Sequence, residues 1–432
     1  MGIKVGICGV RGFGTAFIKL FQVHPQVDEV VLADLIPERV AARAKEFGVK
    51  RTFASLDELC KSDVDAIALF TPRWSHGPQA VQALKAGKHV YSAVPAAATL
   101  EELSKLVETV KETGLMYMLG ETSYHRPQTI YCRERFSEGD FGQFVYGEGQ
   151  YYHDMSRFYR GYMSNSLEDW RKVASFPPML YPTHSVAFIL SVTFRRMAEV
   201  SCLGFVDNHE DGIFRSELSK WQNVFSNETG LFRTSDGGMA RINEFRRISL
   251  GGRGDNEDRM NIMGTLGSYQ EHVGSSIWTS LGTTDNIYKD GEIGYENVAE
   301  LTKIRTTKLD HIHAYKGVEI TAENLGDLPK EYIGSEHVGA TSVHHVERLP
   351  KEFVGLSTGH GGTHQFLVLD FMEACMTGKL PPNNVWLAAR YNAPGIVAHE
   401  SAKRDGELLK IPDFGMPPPD QELLDPISKL KE

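Results

Sequence analysis

The alternation of apolar runs with helical segments over the first 120 residues constrains the fold more than any other feature of the chain. Residues 3–9 predict a buried strand, residues 12–23 a helix with apolar side chains at helical spacing, and residues 29–34 a second strand. Pro37 opens a second predicted helix that Gly48 ends. Three more apolar runs follow at residues 65–70, 88–92 and 115–119. Strands that are apolar on both faces need helices on both sides, so this region predicts an α/β fold with a doubly wound parallel sheet.

A glycine-rich loop joins the first predicted strand to the first predicted helix. Gly9 and Gly14 fit the G-x-G-x-x-G spacing that lets a backbone approach a pyrophosphate at the positive end of a helix. Arg11 occupies the middle glycine position, and Gly12 and Phe13 follow it. Asp34 ends the second strand, where a carboxylate would accept hydrogen bonds from the ribose hydroxyls. The combination predicts a dinucleotide site, and the alternative is a tight turn with a solvated aspartate.

The identity of the dinucleotide depends on the residues around Asp34. Its negative charge would repel the 2′-phosphate of NADP, and Leu35 rather than an arginine follows it. The sequence therefore favours NAD as the cofactor. Arg39 lies close enough in sequence to leave the preference open.

From about Tyr124 the pattern changes to aromatic and β-branched segments separated by polar loops, as in residues 145–152. This pattern predicts a second domain of α+β type with an open, mainly antiparallel sheet. We therefore place a nucleotide-binding domain at residues 1–122 and a substrate-binding and oligomerisation domain at residues 123–432. A C-terminal segment of about residues 376–432 could pack back on the first domain.

Charge and apolar patterning exclude several kinds of partner. Lys and Arg number 46 against 56 acidic residues, a net charge of −10 that argues against binding to nucleic acid. The longest apolar stretch, residues 186–194, is too short to span a membrane, and the N-terminal residues show no secretory signal, so we expect a cytoplasmic protein. Five scattered cysteines form no C-x-x-C pair, and His311, His313 and Asp310 are only a weak metal signal, so no metal site is predicted.

Taken together, these motifs resemble the Gfo/Idh/MocA family of sugar-directed, NAD-dependent oxidoreductases. The resemblance rests on the glycine loop, on Thr71-Pro72 with His76, on residues 86–90 leading to Pro95, on residues 264–267 and on residues 392–401. It implies an N-terminal Rossmann domain and a C-terminal α/β domain whose open sheet faces the nicotinamide. It also implies that Thr71, Pro72, His76 and Pro95 contact NAD. His76 could instead cap the helix that follows it.

Two segments depart from the pattern of this family. The usual E-K-P, whose lysine contacts the reacting hydroxyl, reads Ala93-Val94-Pro95 here. The usual D-x-G-x-H-x-x-D reads as residues 180–187, in which His184 remains and both aspartates are lost. An ordinary dehydrogenase of the family would have lost most of its proton-handling groups.

The altered segments are similar to one branch of the family, the NAD-dependent glycosidases that act on α-N-acetylgalactosaminides. The matching segments are residues 94–102, Glu121 with Tyr124, residues 152–154, residues 180–184 and residues 359–362. The resemblance implies that Glu121, Tyr181, His184 and His360 line the sugar pocket and act in catalysis. It places Tyr124, Tyr152 and His153 in substrate binding.

The chemistry of these side chains suggests a role for each. His184 is the best acceptor for the alcohol proton, because an imidazole titrates near pH 6.5. Tyr181 could relay that proton or hold the hydroxyl, and His360 could protonate a leaving oxygen. Glu121 follows a strand of the parallel sheet, at the edge where ligands bind. Each residue could also be an ordinary hydrogen-bonded core or turn residue.

We predict an NAD-dependent oxidoreductase that removes hydride from a CH–OH group of a sugar or sugar derivative. The alternative is an NAD-dependent glycosidase that works by oxidation, elimination, water addition and reduction. A third interpretation is a catalytically retired protein that still binds NAD and a sugar. The open sheet predicts a homo-oligomer, a dimer or tetramer, because its apolar face needs cover.

Overall fold

The fold is that of a computed structural model, which describes residues 2–163, 169–248, 258–272, 275–281, 294–299, 314–315, 318–319, 340–356 and 359–431. His311 and His313 lie outside these residues. The chain divides into two compact units. The first unit contains residues 1–131, 300–389 and 415–429, and the second contains residues 132–299, 390–414 and 430–432. Because compactness alone does not define a folding domain, the boundary predicted after residue 122 stays a prediction.

The helices and strands are numbered separately along the chain. The strands are β1 Ile3–Cys8, β2 Val27–Ala33, β3 Thr52–Phe53, β4 Ala66–Leu69, β5 His89–Ser92, β6 Tyr117–Leu119, β7 Phe144–Tyr152, β8 Met197–Val206, β9 Phe225–Thr234, β10 Met239–Phe245, β11 Asp258–Gly264, β12 Gly267–His272, β13 Ser275–Ser280, β14 Gly294–Asn297, β15 Ala314–Tyr315, β16 Val318–Glu319 and β17 Leu409–Lys410. The α-helices are α1 Thr15–Val23, α2 Pro37–Phe47, α3 Leu56–Lys61, α4 His76–Lys85, α5 Leu100–Thr113, α6 Pro127–Glu138, α7 Tyr159–Met163, α8 Trp170–Ala174, α9 Thr183–Thr193, α10 Thr363–Thr377 and α11 Val385–Ala402. Short 3-10 turns cover Arg73–Ser75, Thr122–His125, Met155–Phe158, Pro178–Leu180, Val346–Arg348, Lys351–Phe353 and Pro426–Ser428.

A parallel sheet forms the centre of the first unit. Within the described residues its strand order is β3-β2-β1-β4-β5-β6, with every neighbouring pair parallel. Val5, Ile7 and Ala66 are inaccessible to solvent because helices cover both faces of the sheet. The sequence signals at the second helix are confirmed as well: α2 begins at Pro37, and Gly48 ends it in the left-handed conformation that glycine adopts without strain. The predicted doubly wound fold is confirmed.

An open mixed sheet forms the second unit. In the described part of the chain its strand order is β14-β13-β12-β11-β7-β10-β9-β8-β17. The β7–β10 pair is parallel, and the other neighbouring pairs are antiparallel. This confirms the predicted α+β region with a mainly antiparallel sheet.

Helix α9 packs on one face of this sheet, which is its inner face. All eleven residues of α9 are buried. The helix approaches β7 at two glycines: a Cβ at Gly147 would lie 3.0 Å from the Ile189 side chain, and one at Gly149 would lie 2.0 Å from the Ser185 carbonyl oxygen. The absence of side chains at these two positions of β7 therefore sets how close α9 comes to the sheet.

No α-helix among the residues described here has both the length and the apolar character needed to cross a membrane.

Replacing Gly149 with alanine should destabilise the second unit, because the added methyl group overlaps the backbone of α9. Overpacking of this kind costs about 1–3 kcal/mol of unfolding free energy, which urea denaturation would measure. Val145→Ala on the same strand is the matched control, since Val145 is exposed and its truncation should change stability by less than about 0.5 kcal/mol. If both substitutions change the unfolding free energy equally, α9 moves aside for the added methyl group without a loss of stability.

Candidate functional site

The glycine loop after β1 brings three pieces of backbone into contact. A Cβ at Gly14 would lie 2.2 Å from the Gly9 carbonyl oxygen, and one at Gly9 would lie 2.6 Å from the Phe70 carbonyl oxygen. Gly9 also has a φ of +91°, which L side chains rarely adopt. Gly12 faces open space. The loop between β1 and α1 therefore has the bare, closely packed backbone that a pyrophosphate needs.

Arg11 and Phe13 are the exposed side chains of this loop. Burial of part of the guanidinium and the nearby charge of Arg39 lower the pKa of Arg11. The Phe13 ring meets the rings of Phe17 and Phe70 edge to face. Arg11 thus replaces the middle glycine without disturbing the contact between Gly9 and Gly14.

Asp34 lies one residue beyond β2 and is almost completely buried. Its carboxylate accepts hydrogen bonds from the backbone amides of Val10, at 3.2 Å, and Ile36, at 3.0 Å. Arg39 approaches the same carboxylate at 3.2 Å, so its charge is already paired. The carboxylate is therefore tied to the glycine loop and to the start of α2, as a ribose-binding residue requires.

The loops that follow β4 and β5 are held together by His76. Its ring is buried, with Nδ1 at 2.9 Å from the Pro95 carbonyl oxygen and Nε2 at 2.9 Å from the Thr71 carbonyl oxygen. Burial lowers the pKa of His76, and the neutral ring can donate to only one of these carbonyls at a time. His76 is the first residue of α4, and Pro72 precedes the 3-10 turn Arg73–Ser75. His76 thus holds the backbones of Thr71 and Pro95 together, and its contact with NAD stays a prediction.

Glu121 and Tyr124 lie at the carboxyl end of β6, and both are buried. The Glu121 carboxylate accepts a hydrogen bond from the Ser123 amide at 2.8 Å and caps the turn Thr122–His125. The Tyr124 hydroxyl donates to the Asp425 carboxylate at 2.7 Å. Within the first unit, therefore, both polar groups make structural hydrogen bonds.

A pair of histidines lies beside the glycine loop in the first unit. His360 is exposed in a left-handed turn, and its Nδ1 lies 2.9 Å from Nε2 of the buried His364. Nδ1 of His364 accepts a hydrogen bond from the Gly359 amide at 3.3 Å. The centre of the Phe13 ring is 5.4 Å from that of His360 and 5.0 Å from that of His364. The structure thus places His360 next to a predicted NAD-binding residue.

The second unit brings Tyr181, His184 and His153 together around Tyr151. The His184 ring centre is 5.0 Å from that of Tyr151 and 5.4 Å from that of Tyr181. His153 is hydrogen-bonded through Nδ1 to the Tyr151 hydroxyl. Tyr181 precedes α9, and His184 lies in its first turn. We call Tyr151, His153, Tyr181 and His184 the aromatic cluster.

Tyr152 lies on the other face of the sheet, because neighbouring residues of a strand point to opposite sides. Its ring stacks on Phe245 with the centres 4.8 Å apart, and its hydroxyl accepts a hydrogen bond from the Asn243 amide nitrogen at 3.2 Å. The structure therefore separates Tyr152 from the aromatic cluster that His153 joins.

The sequence analysis did not single out Tyr151, Glu244 or Arg246. Glu244 and Arg246 are buried and form an ion pair of 2.6 Å beneath the aromatic cluster. In the sequence, the two residues have opposite charges and lie two positions apart at the end of an apolar strand. This spacing predicts that they share one face of the sheet. Nothing in the sequence indicated that this face was the buried one.

In the described ranges, no cluster of three or more His, Cys, Asp or Glu side chains has the arrangement of a metal site.

Residues 3–121 match the family described as oxidoreductases with an NAD-binding Rossmann fold, the Gfo/Idh/MocA family. The strand order and the glycine loop define this region as a Rossmann domain. The match of this region to the Gfo/Idh/MocA family confirms the predicted resemblance and cofactor.

Similar proteins extend the match over the rest of the chain. A glycosyl hydrolase family 109 protein of Streptomyces niveus is 25% identical over 95% of this chain and 77% of its own length. An oxidoreductase domain protein from Kribbella flavida has a similar fold, with a TM-score of 0.69 and 18% identity over 96% of this chain and all of that one. A levoglucosan dehydrogenase solved with NADH and levoglucosan has a TM-score of 0.67 and 18% identity over 95% of this chain and all of that one.

Proposed function

We propose that the protein is an NAD-dependent oxidoreductase that removes hydride from a CH–OH group of an uncharged sugar. The observation that carries this proposal is the aromatic cluster, which brings two tyrosines and two histidines together in a chain that lacks the proton-handling lysine and aspartates of the family. Phenols and imidazoles bind sugar hydroxyls and exchange protons with them. The levoglucosan dehydrogenase with the same fold, which was solved with a sugar derivative, supports the choice of substrate class.

NAD fits the first unit, because the bare backbone at Gly9 and Gly14 leaves room for a pyrophosphate and Asp34 stands where the ribose would lie. Bound NAD supplies the hydride acceptor. The residues Arg11, Gly12 and Phe13 would border the same loop, with Thr71, Pro72 and Pro95 at the neighbouring strand ends. The buried Val94, at the position of the family's lysine, offers no group that could accept a proton.

The proton of the sugar hydroxyl must leave as the carbonyl forms. We assign this role to His184, whose ring contacts both Tyr151 and Tyr181. Tyr181 holds the hydroxyl or passes its proton to His184, and His153 orients Tyr151 through its hydroxyl. From the family resemblance we also assign Glu121 and Tyr124, at the end of β6 in the first unit, to sugar binding. Their hydrogen bonds to Ser123 and Asp425 stabilise the turn there.

Net glycoside cleavage is the second candidate, and the histidine pair favours it. Because the Gly359 amide donates to Nδ1 of His364, the proton of that ring lies on Nε2 and is donated to Nδ1 of His360. Neutral His360 therefore carries its own proton on Nε2, on an exposed side chain beside the glycine loop. Such a group can donate a hydrogen bond to a leaving oxygen, and the glycosyl hydrolase family 109 relative matches 95% of the chain. The third candidate, a retired NAD- and sugar-binding protein, is what remains if neither reaction occurs.

Proton NMR should separate the three candidates. Free sugars and aryl glycosides, α-N-acetylgalactosaminides among them, would be incubated with the protein and NAD in deuterated water. A keto sugar formed in proportion to NADH identifies an oxidoreductase. Release of the aglycone with deuterium next to the oxidised carbon identifies a glycosidase. No change in any sugar, with NAD binding retained, would contradict both activities.

Replacing His184 with alanine should lower kcat by about a hundredfold to ten-thousandfold while NAD binding persists, because a general base is lost and the glycine loop is untouched. His209→Ala is the control, since His209 is half-exposed and pairs with Asp211. Unchanged turnover in the His184 variant would remove this residue from catalysis.

Replacing Asp34 with serine should weaken NAD binding by about tenfold to a hundredfold, because charge-assisted hydrogen bonds to the ribose are lost. The relative affinity for NADP should rise, because Arg39 no longer has Asp34 as its partner. Calorimetric titration with both cofactors measures this, and Glu38→Gln, an exposed carboxylate on α2, is the control. Equal NAD binding by wild type and the Asp34 variant would refute the assignment.

We also propose that the outer face of the second unit's sheet binds a second copy of the chain. Leu203, Phe205, Leu231 and Met239 are each more than half exposed on β8, β9 and β10. The charges among them are paired, Glu199 with Arg233 and Glu148 with Arg241, each at 3.0 Å. Two such faces would bring apolar surface together without like-charge repulsion.

Leu231→Asp should therefore convert an oligomer into monomers, as measured by light scattering, because it buries a charge in the apolar contact. Leu408→Asp is the control, since Leu408 is equally exposed but precedes β17 rather than lying within a strand. A monomeric wild-type protein would rule out self-association.

A further inference from the structure

The buried ion pair of Glu244 and Arg246 has no role in the reaction proposed above. Arg246 and Glu244 are almost completely inaccessible to solvent, and their charged groups are 2.6 Å apart. Burying such a pair costs desolvation energy that mutual attraction often fails to recover. Its position beneath the aromatic cluster suggests what the charge does.

Arg246 lies against the faces of both tyrosines in the cluster. Its guanidinium carbon is 5.0 Å from the centre of the Tyr151 ring and 5.9 Å from that of the Tyr181 ring. The same guanidinium donates to the carbonyl oxygen of Phe245 at 3.3 Å. It lies 3.5 Å from the carbonyl oxygen of Pro178, in the turn before Tyr181. The cation is thus held between β10 and the segment that carries Tyr181.

Glu244 ties this cation to the helix that carries His184. Its carboxylate is hydrogen-bonded to the Ser185 hydroxyl and to Arg246. Burial raises the pKa of Glu244 to about 7, against the opposing influence of Arg246, Ser185 and His184. The pair therefore connects β10 to α9, directly under the aromatic cluster.

The charges around the tyrosines act in opposite directions. Arg246 favours the phenolate form of Tyr151, whereas Glu244, Asp258 and the neighbouring Tyr181 disfavour it. Burial, the largest influence, also disfavours the phenolate, so the pKa of Tyr151 is raised well above its usual value. His153 and His184 also face the rings. Arg246 is the fixed cation against the two ring faces.

We propose that Arg246 is a positioning residue that holds the two tyrosine rings in place and stabilises the negative charge that develops on their oxygens when they pass a proton. This role rests on the proposed function: a tyrosine hydroxyl accepts the substrate's hydroxyl proton as it gives its own proton to His184, and bound NAD would supply the hydride acceptor. Arg246 supplies positive charge from beneath the rings, whereas Val94, at the position of the family's lysine, carries no charge. Its charge acts through Tyr151 and Tyr181 and touches no reacting atom.

The test compares Arg246→Met, Arg246→Lys and the control Arg233→Met, which removes an exposed arginine from the same sheet. Removal of Arg246 should leave a folded protein, because the raised pKa of Glu244 lets that carboxyl become neutral. Phenolate absorbance is titrated in each variant, and again in each with Tyr151→Phe and Tyr181→Phe, so that the signal of the pair is isolated by difference. This readout needs neither NAD nor substrate.

The tyrosine pair should ionise at least about one pH unit higher in Arg246→Met than in the wild type, since a cation at this range changes a pKa by that order. Arg246→Lys should recover most of the difference, and Arg233→Met should match the wild type. The acid limb of kcat/KM against pH should also move upward, because the same cation is lost. A structural role alone would lower activity without moving either pH dependence.

The outcomes separate this proposal from the proposed function. If the tyrosine titration is unchanged in Arg246→Met, the role of Arg246 is wrong, whatever the enzyme does. If the titration moves but the wild-type protein converts no sugar, the electrostatic coupling stands and the proposed function fails. Circular dichroism confirms that each variant is folded before either conclusion is drawn.

Discussion

Close approach of backbone segments at glycines determines where the functional side chains lie in each unit. In the first unit, the contact between Gly14 and the Gly9 carbonyl brings the start of α1 against the end of β1. In the second, Gly149 lets the Ser185 carbonyl come within reach of β7. A methyl group at either point would displace α1 or α9, the helix that lies next to the candidate site residues of that unit. The positions of these helices therefore depend on glycines, which have no side chain, as well as on the side chains packed around them.

Charges buried near these contacts are paired, and each pair links two elements. Asp34 with Arg39 connects the end of β2 to α2, and Glu244 with Arg246 reaches α9 through Ser185. Asp370 on α10 accepts from Arg348 and lies 2.8 Å from His125, after β6. Because an isolated buried charge is costly, such pairs keep their elements in register. The same ion pairs therefore help to orient the candidate site residues near them.

The sequence predicts the first unit well, because its signals are local. Apolar runs, Pro37, Gly48 and the glycine loop each act within a few residues, and the structure confirms the strands and helices they indicate. The aromatic cluster is harder, because it joins side chains from β7 and α9. His184 and Tyr181 were predicted from the family resemblance, whereas Tyr152 was predicted rather than its neighbour Tyr151, which lies in the aromatic cluster. Strand alternation decides between the two, and only the packing of α9 shows which face is the inner one.

The parallel pairing of β7 with β10 has a consequence for the order of folding. The contact between Arg246 and the backbone of Tyr151 spans 95 residues of chain, with α9 and the β8–β9 hairpin between them. Closing so long a loop costs chain entropy before any contact in it is made. The hairpin and helix can form early from local contacts, but Arg246 reaches the tyrosines only when the whole segment has closed. During synthesis, a chain of 184 to 245 residues would contain both tyrosines and both histidines of the cluster without the cation beneath them.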